Sequence, residues 1–302
     1  MQGNKIYIAG CGGMLGEAFY NQLINGNTLR CTDIDLNDEW LSFLDFRNYN
    51  DYENDVAKFN PDWLFHIGAF TDLEYCELHP SATIKTNTKS VEHAVKIANN
   101  LKIPLLYIST AGIFNGKKDY YDESDIPDPI CNYAKSKYLG EKYVQENSNN
   151  HLICRAGWMM GGGPKKDKKF IQKIMKQIKN GSKELFIVND KLGTPTYTHD
   201  FVNNVKLLIN NNKRGLFNMV CDGLTGRLEV AIELLSLLKL DKKIKIIEVS
   251  TDHFKEIYFA NRPDCERLIN KKLNDLDLNI MRDWRVALKE YINFYYKDYL
   301  TK

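Results

Sequence analysis

Nowhere in the 302 residues is there a run of about 18 consecutive apolar side chains, the length a membrane-crossing helix needs. The first segment, Met1 to Ala9, also lacks an apolar stretch of signal-peptide length. Both absences predict a protein that neither crosses a membrane nor is secreted. Excess charge is missing as well. A formal net charge of +2 creates no field that would imply a nucleic-acid partner, although lysines gather between Lys165 and Lys183. The seven cysteines are scattered, odd in number and free of any CxxC pair. Several fall in apolar, strand-like runs. That pattern argues against a disulfide framework or a metal site and for reduced thiols in the cytoplasm.

What is present is ordinary for a globular chain: 43% hydrophobic and 26% charged residues. A chain of this length buries roughly three quarters of its unfolded surface without a staple. Lys5-Ile6-Tyr7-Ile8-Ala9 reads as a buried strand that ends in glycines, and Met14 to Asn25 reads as a helix. The alternation recurs: strands near Leu29–Thr32, Trp63–Ile67, Pro104–Ser109 and Leu152–Arg155, with helices near Ala82–Asn100 and Asn132–Glu146. Such a rhythm predicts an α/β fold, a Rossmann-type doubly wound parallel sheet covered by helices on both faces. After Ala156 the rhythm breaks at Gly161-Gly162-Gly163-Pro164. We therefore expect a cofactor domain over 1–156, rejoined at roughly 190–212, and a smaller C-terminal α/β substrate-binding lobe over 157–189 and 213–302.

Gly10, Gly13 and Gly16 stand at GxxGxxG spacing between the first strand and the first helix. A phosphate reaches backbone N–H groups only where side chains are absent, and a helix N-terminus adds partial positive charge. Gly10, Gly13, Met14 and Leu15 are thus candidate dinucleotide contacts. Asp33 ends the Leu29-Arg30-Cys31-Thr32-Asp33 run, where a carboxylate can bind both adenosine ribose hydroxyls and repel a 2'-phosphate. NAD(H) is favoured on that ground, while Arg30 or Arg47 keeps NADP(H) in play. Asp45 and Phe46 are candidate adenine contacts.

Tyr133 and Lys137, four residues apart, share one face of a helix. A phenol seldom ionises at neutral pH, but an adjacent ammonium and an oxidised nicotinamide favour the phenolate, so Tyr133 can exchange a proton with a carbonyl. A second YxxxK pair, Tyr138 and Lys142, faces about 140° away, and both pairs cannot serve one site. Tyr133 is preferred because it follows the Ile126-Pro127-Asp128-Pro129-Ile130 loop, at a helix start beside the sheet end. Thr110, at the carboxyl end of its strand, offers a hydroxyl to the carbonyl oxygen, or simply caps the strand.

These residues, with Gly68-Ala69-Phe70-Thr71-Asp72, Asn87, Arg155-Ala156-Gly157-Trp158, Val188 through Thr196 and Asn261-Arg262-Pro263, follow a familiar order. The chain resembles the dTDP-4-dehydrorhamnose reductase branch of the extended short-chain dehydrogenases over nearly its whole length. The resemblance implies hydride transfer to the C4 carbonyl of a nucleotide-linked 4-keto-6-deoxy sugar, in deoxysugar or cell-surface polysaccharide biosynthesis. It implies Thr110, Tyr133 and Lys137 as the catalytic set, and Gly68, Ala69, Phe70 and Asn87 as further cofactor contacts. Thr71, Ala111, Trp158, Thr194 and Arg262 would face the sugar nucleotide. No metal is implied, and a homodimer is compatible with it.

One departure stands out. Thr110-Ala111-Gly112 replaces the Thr-Asp-Tyr typical of rhamnose-forming members. The exchange predicts a gap and a lost hydrogen-bond acceptor beside the reacting carbon, and hence a 4-keto sugar other than dTDP-4-keto-L-rhamnose. Lys165, Lys166, Lys168 and Lys169 read as a solvated face, although in related enzymes this region nears the diphosphate. His66, within an apolar strand, reads as a satisfied core residue. An epimerase that retains NAD, or a non-catalytic dinucleotide-binding regulatory subunit, would share the fold.

Overall fold

The computed structural model describes residues 2–300. Its centre is a parallel sheet of seven strands: β1 Lys5–Ala9, β2 Thr28–Asp33, β3 Ser42–Phe43, β4 Trp63–His66, β5 Leu105–Thr110, β6 His151–Ala156 and β7 Gly215–Asn218. In space they run β7-β6-β5-β4-β1-β2-β3. The order reverses between β1 and β4, the switch point at which such sheets open a crevice for ligands. Alternate residues of each central strand feed separate cores. Ile6, Ile8 and Phe65 pack with Phe19 and Phe201 on one face, while Tyr7, Ala9 and Leu64 pack with Tyr52, Val95 and Val144 on the other. A strand buried on both faces must be apolar throughout, and Ile6 through Ala9 are fully buried.

The helix Thr198–Asn210 returns to the first lobe and packs on helix Met14–Leu23. β7 corrects the expected boundary at 213: it pairs with β6 through Leu216↔Ile153 and Phe217↔Cys154, so the cofactor sheet extends beyond that point. Gly215-Leu216-Phe217-Asn218 offers only two apolar residues between a glycine and an asparagine, which makes no strand pattern. The helix Tyr49–Phe59, capped by the Asn48 side chain, and strand β3 were also not legible. The expected Ala82–Asn100 helix is broken into Pro80–Ile84, a π-helical turn Lys85–Lys89, and Ser90–Leu101. Polar groups drive that break: Ser90 Oγ donates to the Thr86 carbonyl at 2.5 Å and Thr88 Oγ1 to the Ser136 carbonyl at 2.9 Å.

The second lobe carries small sheets, Glu184–Val188 with Lys245–Val249, and Leu192–Gly193 flanked by Thr225–Gly226 and Cys265–Glu266. Helix Phe170–Lys179 buries Ile171, Ile174 and Met175 as its amphipathic pattern requires. Among the described residues, no helix is long and apolar enough to cross a membrane, and all seven cysteines are buried free thiols.

Candidate active site

A cleft of about 1010 Å³ opens where the carboxyl ends of β1, β2, β4 and β5 face the second lobe. The glycine loop forms its floor. Gly10 has a φ of +81°, and a Cβ there would lie 2.1 Å from Gly68 Cα, so the two loops touch backbone to backbone. At Gly13 a Cβ would meet nothing within 4 Å, and no side chain caps the helix that starts at Met14. Open backbone and free N–H groups form the cradle a dinucleotide diphosphate requires. Asp33, at the end of β2, accepts from Gly12 N at 2.8 Å and Asp35 N at 3.0 Å, which fixes its carboxylate at the cleft edge. Neither arginine stands free beside it. Arg30 is held by Asp55 at 2.9 Å, and Arg47 chelates Asp45 at 2.7 and 2.6 Å.

Of the residues singled out from the sequence, Gly10, Gly13, Met14, Leu15, Asp33, Asp45, Phe46, Gly68, Ala69, Phe70, Thr71, Thr110, Tyr133, Lys137, Trp158 and Arg262 all line this one cleft. Three of the expected contact residues, Asn87, Ala111 and Thr194, do not line it. Asn87 stands behind the wall: its amide accepts from Phe70 N at 2.8 Å and donates to Phe70 O at 2.9 Å and Ser136 Oγ at 3.0 Å, so it shapes the loop. Ala111 is buried in a small apolar cluster with Ile113 and Phe114. Thr194 is buried too, with Oγ1 accepting from Leu268 N at 3.3 Å.

Tyr133 lies in the first turn of helix Asn132–Asn147, anchored where Asn132 N meets Glu77 at 2.7 Å. Desolvation pushes its phenol above the ordinary range, and a hydrogen bond with Thr110 pulls the other way. Lys137, one turn on, is only 4% exposed. Its Nζ donates to the Ile108 carbonyl at 2.6 Å and lies 4.3 Å from the Tyr107 ring centre. Burial pushes its pKa down to about 7, opposed by nearby Glu141. Thr110 Oγ1 also accepts from Gly112 N at 3.2 Å, so the strand-end cap and the site-facing hydroxyl coexist. The rival pair lies elsewhere: Tyr138 packs against the Ala111 cluster, and Lys142 is exposed beside Glu146 at 3.7 Å. His66 is a core residue, bonded to Tyr52 and Ser90 at 3.2 and 3.0 Å and pushed down to about 3 by burial.

The lysine run is not uniformly solvated. Lys165 and Lys168 are exposed, but Lys166 is buried and donates to the Gly12 carbonyl at 2.9 Å and Asn37 Oδ1 at 3.0 Å. Lys169 reaches across the cleft to the Thr71 carbonyl at 2.9 Å, and burial lowers its pKa. Sequence reasoning also missed Arg227 and Glu266. Arg227 is sandwiched 3.6 Å from the Trp158 ring centre and 4.6 Å from that of Phe170. Burial lowers it to about 10. Among the described residues its guanidinium makes no hydrogen bond to protein. The charge itself was the only available signal, since neither residue falls in a recognised spacing.

Residues 4–297 match the family described as "RmlD substrate binding domain". A spore coat polysaccharide biosynthesis protein, SpsK, of Bacillus subtilis is 26% identical over 95% of this chain and 96% of its own length. The solved dTDP-4-dehydrorhamnose reductase of Yersinia enterocolitica is 32% identical, with a TM-score of 0.86 over 96% of this chain and 98% of that one. That of Bacillus anthracis, solved in complex with NADP, is 25% identical, with a TM-score of 0.87 over 97% of this chain and 99% of that one. With glycine cradle, tyrosine, lysine and threonine gathered in one cleft, the chain belongs to the RmlD substrate binding domain family. It is an NAD(P)-dependent oxidoreductase of the dTDP-4-dehydrorhamnose reductase-like extended short-chain type.

Proposed function

We propose that this cleft reduces the C4 keto group of a nucleotide-linked 4-keto-6-deoxy sugar, with Thr110, Tyr133 and Lys137 as the catalytic set and NADH as the favoured cofactor. The reaction serves deoxysugar or cell-surface polysaccharide biosynthesis. The observation that carries the reading is the convergence of the glycine cradle, Thr110, Tyr133 and Lys137 with Trp158 and Arg262 of the second lobe on one cleft.

Gly13, Met14 and Leu15 would hold the dinucleotide diphosphate and Asp33 the adenosine ribose, while bound nicotinamide supplies the hydride. Thr110 orients the substrate carbonyl oxygen. Tyr133 Oη delivers the proton to that oxygen, and the Lys137 ammonium stabilises the phenolate left behind. Asp33 supports NADH, since the arginines that would favour a 2'-phosphate are spent on Asp55 and Asp45. Arg227 offers a guanidinium donor to the anionic end of the substrate, and Arg262 would face the sugar nucleotide from a position fixed by Glu74 at 2.7 Å. The seven buried free thiols support a cytoplasmic setting.

The test is a panel of nucleotide-linked 4-keto-6-deoxy sugars incubated with NADH or NADPH, with products identified by NMR. Reduced product with stoichiometric cofactor oxidation is expected. Product without net oxidation would make the protein an epimerase, and binding without turnover would make it a regulatory subunit.

A further inference from the structure

The exchange at Ala111 and Gly112 implies an empty, acceptor-free space beside the reacting carbon. The space is filled. Glu266, from the short strand Cys265–Glu266, reaches over Gly112: a Cβ at that glycine would lie 3.2 Å from Glu266 Oε1 and 3.6 Å from Thr110 Oγ1. Any larger residue at 112 would push against this carboxylate. Its other oxygen, Oε2, accepts from Trp158 Nε1 at 2.8 Å. The indole is itself set by close packing, since a Cβ at Gly193, the register partner of Glu266, would lie 2.2 Å from the Trp158 ring. Glu266 is thus oriented through one oxygen, while among the described residues Oε1 makes no hydrogen bond to protein. Both it and Thr110 line the cleft.

The geometry points to Glu266 as a specificity-determining residue, whose Oε1 accepts a hydrogen bond from the sugar hydroxyl on the carbon next to the reacting ketone. The inference rests on the keto-sugar reading above. An α-hydroxy ketone carries two oxygens on adjacent carbons. One is an acceptor that suits the Thr110 hydroxyl, and the other is a donor that suits a carboxylate. Two polar groups within 4 Å of one point above Gly112 match that pair. A substrate lacking the hydroxyl would leave the carboxylate oxygen desolvated and unpaired, which is the arrangement by which sites reject deoxy analogues.

The experiment uses calorimetry on the full chain with two ligands, a nucleotide-linked 4-keto-6-deoxy sugar and its 3-deoxy counterpart. Wild type is expected to bind the hydroxylated sugar about 10- to 100-fold more tightly. Glu266→Gln retains size and an oxygen for Trp158 but turns a donor toward the substrate. It is expected to bring the two ligands within about threefold, chiefly by weakening the hydroxylated one, while NADH affinity stays as in wild type. Equal affinities in wild type, an unchanged ratio in the variant, or parallel weakening of both ligands would each overturn the assignment. Reduction of neither sugar by wild type would sink the reductase reading separately, because the affinity ratio needs no turnover.

Discussion

Tyr133 and Tyr138 stand five residues apart on one helix, each followed by a lysine, and their surroundings separate them completely. Tyr133 meets Thr110 at the cleft, whereas Tyr138 is packed against apolar side chains. Tyr133→Phe removes only the transferable proton, so turnover should fall by about 10²- to 10⁴-fold with cofactor affinity kept. Tyr138→Phe should leave the rate nearly unchanged, and equal losses would defeat the helix-face argument. Lys137 adds a pH signature. Burial brings it to about 7, so it loses its charge as pH rises through that value. The phenolate left on Tyr133 then loses its partner, and kcat for reduction should fall above pH 7, a limb that Lys137→Met should lack. Stability should move the opposite way. The unfolded chain holds this proton up to the ordinary lysine value of 10.5, so the cost of burying the charge is full below about 7 and fades between the two values. A rate profile indifferent to Lys137 would remove it from the proton path.

At the scale of elements, the end of β2 carries the proposed cofactor preference. Asp33 is held by Gly12 and Asp35 at the cleft edge, and on the proposed reading its carboxylate meets the adenosine ribose. Asp33→Ala should move preference toward NADPH, read as the ratio of kcat/KM values with the two cofactors. A wild type that used only NADPH, unchanged by the substitution, would show that Asp33 does not read the ribose. Elements of this kind were legible in the sequence because each carries its own signal: apolar runs for β1 and β4, glycines at the turn, a 3.6-residue period for the helices. Elements held by long-range polar contacts were not. Nothing local announces that Asn87 will clamp Phe70 and lodge in a π-helical turn, or that Gly215–Asn218 will find β6. The same limit explains Glu266, whose meaning comes only from Gly112, far away in sequence but adjacent in the fold.

Over the whole molecule, the two lobes are joined across the cleft by lysines that sequence pattern assigned to solvent. Lys166 belongs to the second lobe, yet its buried ammonium grips the Gly12 carbonyl in the cofactor loop, Asn37 beyond it and the Asp38 carboxylate at 2.5 Å. An ammonium is buried only where charge-assisted bonds offset desolvation, so this contact fixes how the loop is presented to a diphosphate. Lys165, its neighbour, is exposed and, among the described residues, pairs only with the other oxygen of Asp38, a contact of a kind worth little in water. Lys166→Met should therefore weaken NADH binding about tenfold, the equivalent of one hydrogen bond to a charged group, and lower the melting temperature. Lys165→Met should do neither. Fluorescence titration of NADH with both variants separates the outcomes. If the two substitutions act alike, the second lobe does not hold the glycine loop, and cofactor affinity resides in the first lobe alone.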